Sequence, residues 1–456
     1  MKKKAPARRF ALPAGRRPAR YDGARLRRDV AAGLTVAAVA VPQAMAYALL
    51  AGVSPVVGLY TAIVVTALGS LFGSSANLIN GPTNAISLVV FGVVAGVGAG
   101  PDDPNRVRLI ALLAVLAGMI QIVLSLLKLG RLARHVSEAV VLGFMAGAGL
   151  LVALTQVPTI LGLQEAGTDT DHLLSRLWLT CSRGGPANLG ALAICLTTVA
   201  LVTGLHRLGG RLGVKVPEML LSLVLVSALV GLLGPTPGRL HVEGSLPTPQ
   251  LPVLPPDWVG QLGRLGSGAL AIALVGLVEA LAMARSLSAR SGQSLDYDRQ
   301  CLAEGLANLG GGLFGCLPGS GSLSRSALNY HAGAATRFSG VVAAAAVAGA
   351  LWLFAPLADF VPQPALAGVL LCTAWRIIDP RRLWECLRSS RDEAAVVLAT
   401  ACAAVLIRVE VAVLVGIASS LLCRGLVRLH VAGLGHRAED AQRMQVRADN
   451  LSLSIR

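Results

Sequence analysis

The chain has 456 residues, 54% of them hydrophobic and 14% charged, with 40 Lys and Arg against 24 Asp and Glu for a net charge of +16. This is too apolar for soluble domains, and many windows of about 20 residues reach the length of a membrane-spanning helix, so the chain reads as an all-α polytopic membrane protein rather than an alternating barrel. The positive charge lies in short loops between apolar runs, where the positive-inside rule expects it, and so points to the lipid bilayer and not to nucleic acid.

The first 28 residues hold Lys2, Lys3, Lys4, Arg8 and Arg9 but no apolar run, which reads as a basic cytoplasmic tail without a cleavable signal. Span one is expected over Asp29 to Leu50, broken at Pro42 and followed by Gln43 and Tyr47. Span two covers Val57 to Phe72, span three Pro82 to Val97, and span four ends at Leu127 before Lys128, Arg131 and Arg134. Spans five to seven run from Val136 to Leu161, Leu189 to Leu205 and on to Leu233, with the acids Asp102, Asp103, Glu165, Asp169 and Asp171 in intervening loops. Residues 235–266 form a Pro-rich extracytoplasmic linker at the midpoint. Beyond it, span eight (Ser267 to Leu287) carries Glu279, span nine ends near Cys316, span ten starts near Ser322 and span eleven ends at Phe354. Pro364 to Ile378, Glu393 to Leu406 and Val411 to Leu429 complete about fourteen spans, with a short tail over 431–456. Basic clusters follow the even-numbered spans, which places both termini in the cytoplasm of a bacterial-type inner membrane.

Two polar interruptions organise this pattern. Asn80 to Ser87, Asn-Gly-Pro-Thr-Asn-Ala-Ile-Ser, begins a helix in mid-membrane with Pro82 in its first turn, so that backbone N–H groups of Thr83, Asn84 and Ala85 face whatever lies ahead. A helix N-terminus carries about half a positive charge and holds anions. Pro318 to Ser326, Pro-Gly-Ser-Gly-Ser-Leu-Ser-Arg-Ser, repeats the arrangement in the second half. Broken segments in corresponding places of two halves point to a transporter's binding site, and seven spans per half require the second to be inverted.

Each side chain there also has a plainer reading. Arg325 is a functional charge within a membrane segment or an arginine snorkelling from a helix end. Glu279 binds a proton or sodium ion, pairs with Arg325 in the empty site, or forms a structural ion pair. Gln43, Thr83, Asn84 and Ser324 bind ligand or cap freed backbone groups, and Tyr47 lines the pocket or packs. His135 and His331 read as interfacial, and Arg408 and Glu410 as lying near a membrane face. The eight cysteines are scattered, without Cys-x-x-Cys, so neither a metal site nor a disulfide framework is expected.

Pro42-Gln-Ala-Met-Ala-Tyr47, Ser54-Pro-Val-Val-Gly-Leu-Tyr60, Phe72-Gly-Ser-Ser75, Gly81-Pro-Thr-Asn-Ala-Ile-Ser87, Ser322-Leu-Ser-Arg-Ser326 and Val361-Pro-Gln-Pro-Ala365 together resemble the sulfate permease (SulP) family, whose animal members form solute carrier family 26. The resemblance implies a seven-plus-seven inverted repeat like that of uracil permeases, with short extended segments leading into broken helices three and ten. It implies a core domain (29–127 and 267–354) moving against a gate domain (128–234 and 355–430), and a homodimer. It places a small anion against Gln43, Tyr47, Thr83, Asn84, Ala85, Ser324, Arg325 and Ser326, with Glu279 for a coupling proton or sodium ion and no other cofactor. Family members usually continue into a cytoplasmic STAS domain, which these 456 residues are expected to lack. Thr83 stands where many relatives carry an aromatic residue, which should make the pocket more polar. The function so read is secondary active transport of sulfate, bicarbonate or a dicarboxylate. An anion channel or voltage-responsive element on the same fold is the alternative. A nucleobase permease ranks lower because a neutral base needs no fixed positive charge, and no nucleotide loop, metal cluster or paired nucleophile suggests an enzyme.

Overall fold

A computed structural model describes residues 21–97, 105–128, 138–164, 166–167, 173–213, 216–233, 246–249, 258–358, 360–378, 380–407 and a few positions between 411 and 423. The basic tail up to residue 20, Asp102, Asp103, Arg131, Arg134, His135, Glu165, Asp169, Asp171, Lys215, most of the Pro-rich stretch, Arg408, Glu410 and residues 431–456 lie outside them.

Helices dominate. The first group is α1 (Gly23–Leu50), α2 (Pro55–Phe72), α3 (Asn84–Gly96) and α4 (Arg106–Leu126). Next come α5 (Glu138–Thr155), α6 (Val157–Leu161), α7 (Leu173–Arg183), α8 (Leu189–Leu212) and α9 (Glu218–Leu233). The second half holds α10 (Trp258–Ser291), α11 (Tyr297–Leu313), α12 (Leu323–His331), α13 (Phe338–Ala358), α14 (Gln363–Ile378), α15 (Pro380–Ser389) and α16 (Arg391–Leu406). The described positions between 411 and 423 are helical as well. Among the described residues, six helical stretches are long and apolar enough to cross a membrane, and α3, α9 and α13 contribute shorter apolar ones. Large apolar side chains such as Met119, Val123, Leu196, Val224, Leu232 and Trp352 stand exposed on the outside. In water this would be a costly surface; against acyl chains it is the expected one.

Local sequence explains most boundaries. Asp22 caps α1 by accepting from the Arg25 N–H at 2.9 Å, and Asp29, fully buried two turns later, accepts from the Ala335 and Thr336 backbones and the Thr336 hydroxyl. Helix α1 runs unbroken through Pro42, contrary to the expected interruption. One lost backbone bond is tolerable there because Ala40, Gln43, Ala44 and Met45 are buried around it, so packing holds what the ladder gives up. Two short helices, α7 and α15, occupy stretches read as loops from the sequence, and α6 is the end of the expected fifth span, set off from α5 at Gln156. In α15 the Arg388 guanidinium lies 4.4 Å over the Trp384 ring, a charged and aromatic combination that suits an interfacial helix. The start of α10 at Trp258 also takes helix into the last part of the Pro-rich stretch.

Two packed groups emerge. In the first, α4 lies on α11 and α10, α13 on α1 and α2, and α2 on α11. Close approach is set by glycine: a Cβ on Gly118 would fall 2.7 Å from the Gly305 carbonyl oxygen, and one on Gly305 would fall 2.9 Å from that of Gly118. The second group joins α5 to α16, α14 to α5 and α8, and α8 to α9, with an ion pair from Arg376 of α14 to Glu218 of α9 at 2.9 Å. Helix α1 against α9 and α14, and α3 against α5, connect the groups.

Candidate functional site

The two polar interruptions meet. Asn80–Gly81 (β1) and Ser320–Gly321 (β2) pair antiparallel, Asn80 opposite Gly321 and Gly81 opposite Ser320, and the Ser322 N–H donates to the Ile79 carbonyl at 2.9 Å. Each strand feeds a helix too short to cross a bilayer. The thirteen residues of α3 and nine of α12 span about 20 and 14 Å at 1.5 Å per residue, against about 30 Å of hydrocarbon. The chain therefore places two helix starts beside one central ribbon. Gly81 has φ +140°, and a Cβ there would sit 3.1 Å from Arg325 Nη2, so glycine is required on both counts.

Such a ribbon buries backbone groups in a low-dielectric interior, and side chains of α2 and α11 satisfy them. Thr66 donates to the Asn80 carbonyl at 2.7 Å and Thr61 accepts from the Leu317 N–H at 2.9 Å. Asn308 bonds Gly319 twice, accepting from its N–H at 2.7 Å and donating to its carbonyl at 3.1 Å, while also donating to Gln121 at 2.9 Å. Ser320 donates to the Gly276 carbonyl at 2.8 Å. Sequence reading missed these residues. Their signal was present as single polar residues inside apolar runs, which membrane segments keep only with a partner.

The expected site residues sort into different environments. Thr83 is the N-cap of α3, so Pro82 lies before the helix and not in its first turn. Its hydroxyl accepts from the Ile86 N–H at 3.5 Å and donates to Glu279 Oε2 at 3.1 Å, leaving Asn84 and Ala85 to present the first-turn donors of α3. On α12, Ser322 occupies the N-cap without a side-chain capping bond, its hydroxyl lying 3.4 Å from that of Ser324, the second helical residue, which is exposed. Gln43 Nε2 reaches the Ser324 hydroxyl at 3.5 Å and the Met219 sulfur at 3.7 Å, linking α1 to α12 and α9, while its Oε1 has no partner. Tyr47 is buried one turn further along α1.

Arg325 is completely buried, which removes the snorkelling reading. Its Nη2 donates to the Pro82 carbonyl at 2.7 Å, and Nε and Nη1 have no hydrogen-bond partner. The charge thus lies behind the starts of α3 and α12, tying one to the other. Arg325 and Glu279 form no direct ion pair: one guanidinium nitrogen is used on Pro82 and the carboxylate is used on Thr83. Ser326 is also buried, and its hydroxyl accepts from the Ile79 N–H at 2.8 Å, so it fastens β1. Asn84, Ala85 and Glu279 line a cleft whose opposite wall is Val141, Phe144 and Met145 of α5 with Ile377 of α14. The cleft therefore opens between the two packed groups. Beyond Asn84, Ala85 and the Glu279 carboxylate its lining is apolar, and Gln43, Tyr47, Thr83, Ser324 and Arg325 are not part of it, so what the cleft itself offers an anion is the start of α3.

A family model described as the sulfate permease family matches residues 26–400. The chain belongs to this family. The protein named "Probable sulfate transporter Rv1739c" of Mycobacterium tuberculosis is 32% identical over 403 residues, covering 88% of this chain and 70% of that one. "Sulfate transporter 4.1, chloroplastic" of Arabidopsis thaliana is 29% identical over 421 residues, covering 89% of this chain and 60% of the relative. Among solved structures, the transmembrane domain of the cyanobacterial bicarbonate transporter BicA superposes with a TM-score of 0.77 at 27% identity, over 86% of this chain and 97% of that domain. The sulfate permease family consists of membrane transporters, so this chain is a multi-pass anion transporter and not an enzyme.

Proposed function

We propose that this sulfate permease family member is a secondary active transporter of small oxyanions or carboxylates, of the sulfate, bicarbonate or dicarboxylate class. The observation that carries the reading is the meeting of two half-membrane helix starts at one ribbon, with fully buried Arg325 between them. The anion binds at the N–H groups of Asn84 and Ala85, where the cleft meets the start of α3, and reaches from there toward Ser324, Gln43, Tyr47 and Thr83. Binding by helix starts and a fixed positive charge favours anions and repels cations before any specific contact is made.

Transport proceeds by an elevator movement of a core (29–127 and 267–354) past a gate (128–234 and 355–430), the two halves being an inverted seven-plus-seven repeat. Supporting this, packing partners exchange when each element is replaced by its counterpart in the other half: α2 on α13 corresponds to α11 on α4, and α1 on α13 to α10 on α4. The cleft lies along the boundary such a movement would cross. Glu279, facing that cleft beside Thr83, takes a coupling proton or sodium ion. Both termini lie in the cytoplasm of a bacterial-type inner membrane, and the gate forms a homodimer.

Uptake into proteoliposomes tests the reading across a panel of labelled anions, at several pH values and with or without a sodium gradient. Saturable uptake with counterflow of one anion, lost in Arg325→Ala, supports it. Large ionic current without saturation or counterflow turns the protein into a channel, and unchanged selectivity in Arg325→Ala removes the site assignment.

A further inference from the structure

A second carboxylate lies in the same packed group and is used by none of the steps above. Glu304, in the middle of α11, is 0% exposed. Its Oε1 accepts from Gln300 Nε2 at 3.1 Å, and its Oε2 has no hydrogen-bond partner. Among the described residues, no Lys, Arg or His forms an ion pair with it. A buried carboxylate without a cation is among the costliest groups a membrane interior can hold, and the cost falls when it takes up a proton.

The surroundings decide between a proton and a metal cation. Gln300 spends its amide oxygen on the Ser74 and Ser75 N–H groups, at 3.0 and 3.3 Å, which turns its NH2 toward Glu304. Asn80, the other amide donor on this side of the ribbon, has an Nδ2 without a hydrogen-bond partner among the described residues. Sodium needs converging oxygens; here the two neighbouring amides are turned or free to act as donors. The same donors make the ionised form bearable without any full positive charge, so neither protonation state is locked in. Of the elements packed on α11, α10 brings Glu279, a charge of the same sign, while α2 and α4 bring the hydroxyl of Thr66 and the amide of Gln121. On α11 itself, Asp298 and Cys301 lie within two turns, and Arg299 directs its Nε to the Phe72 carbonyl.

We infer that Glu304 is a proton-binding site of the transport cycle, distinct from Glu279 and placed behind the central ribbon. Asn80 connects the two places. Its side-chain Nδ2, like Glu304 Oε2, is buried without a hydrogen-bond partner among the described residues, and its backbone is half of the β1–β2 pair that sets the starts of α3 and α12. An ionised Glu304 gives the unpartnered Asn80 Nδ2 an acceptor to turn to and a protonated one withdraws it, which would link ribbon geometry to protonation. The inference rests on the transporter reading for its role in the cycle, but proton binding itself is measurable without substrate.

Two measurements test it. Infrared difference spectra of the purified protein between acid and alkaline pH should contain a carboxylic C=O band that Glu304→Gln removes and Glu279→Gln leaves. Glutamine keeps the size and mimics the protonated acid, so the variant is expected to fold, and thermal melting checks that it does. In proteoliposomes with an internal pH dye, proton movement accompanying anion uptake should fall several-fold in Glu304→Gln. A band unchanged by Glu304→Gln, or anion accumulation driven by sodium with no proton movement, overturns the inference and leaves the transporter reading standing. Failure of the wild type to take up any anion overturns the transporter reading, while the infrared band still decides proton binding at Glu304.

Discussion

The two helix starts at the ribbon are built alike in backbone and differently in chemistry. Helix α3 is closed: Thr83 caps it, is itself held by Glu279, and ten of its thirteen residues are buried. Helix α12 is open: its N-cap Ser322 makes no side-chain capping bond, Ser324 is exposed, and only Arg325, Ser326 and Asn329 of its nine residues are buried. One start is thus pre-assembled and the other keeps donors in reserve, with Arg325 fastening the second to the first through Pro82. The difference teaches that a pseudo-symmetric site need not divide its work evenly. In the proposed transport cycle, α3 supplies a rigid reference, and α12 supplies the charge and the groups left to respond to a ligand.

Removing Arg325 should abolish that division most completely. Arg325→Ala deletes both the charge and the tie to Pro82, and a hydrogen bond to a charged group contributes about 1.5–3 kcal/mol, so uptake should fall by about 10- to 100-fold. Arg325→Lys should recover only part of it, since a single ammonium does not reproduce the fork of donors. Initial rates in proteoliposomes check both, and equal rates for wild type and Arg325→Ala would show the two starts to be independent.

Gly319→Ala attacks the ribbon directly. The new Cβ would lie 2.7 Å from the Gly81 carbonyl oxygen, within van der Waals contact of backbone that cannot move aside cheaply. A loss of about 1–3 kcal/mol is expected from such overpacking, read as a lowered melting temperature together with reduced uptake.

Thr83→Val keeps the shape of the closed start but removes its cap and the donor to Glu279. Loss of a cap costs about 1 kcal/mol, so a fall of a few degrees in melting temperature is expected, with a changed pH dependence of uptake because Glu279 has lost its recorded donor. The smallest effects separate two serines on α12. Ser326→Ala should lower stability by about 1 kcal/mol and leave KM unchanged, because its hydroxyl holds the Ile79 N–H. Ser324→Ala should leave the melting temperature nearly unchanged and raise KM by a few-fold, because the residue is exposed and its hydroxyl makes only the long contacts to Gln43 at 3.5 Å and Ser322 at 3.4 Å. The reverse pattern would move Ser326 into the site and Ser324 out of it.

Gln43, Thr83, Glu279 and Arg325 were legible as site candidates because polar and charged groups inside apolar segments need a reason to be there. Their individual duties were not. Ser324 and Ser326 are the same residue type two positions apart, and only the rotation of α12 separates an exposed hydroxyl from one buried on a backbone amide. Pro42 signalled a break that packing overrides, and Pro82 signalled a first turn that Thr83 moves by two positions. Glu304 was not legible, because sequence does not separate it from Asp298 on the same helix and only the packing of α11 on α2, α4 and α10 buries it completely.

Composition and order of residues by themselves determined that this protein lives in a membrane, crosses it many times as helices, and breaks two of them with polar, glycine-rich segments. Those features follow from transfer free energies and backbone geometry, which act locally and can be read one segment at a time. Only the tertiary structure decided that the two breaks pair as a ribbon, that Asn308, Thr61 and Thr66 hold it, and that Arg325 points behind it and not at Glu279. Those are long-range satisfactions of buried hydrogen-bonding groups. Each needs a partner about 10 to 260 residues away in sequence, and local pattern does not encode which.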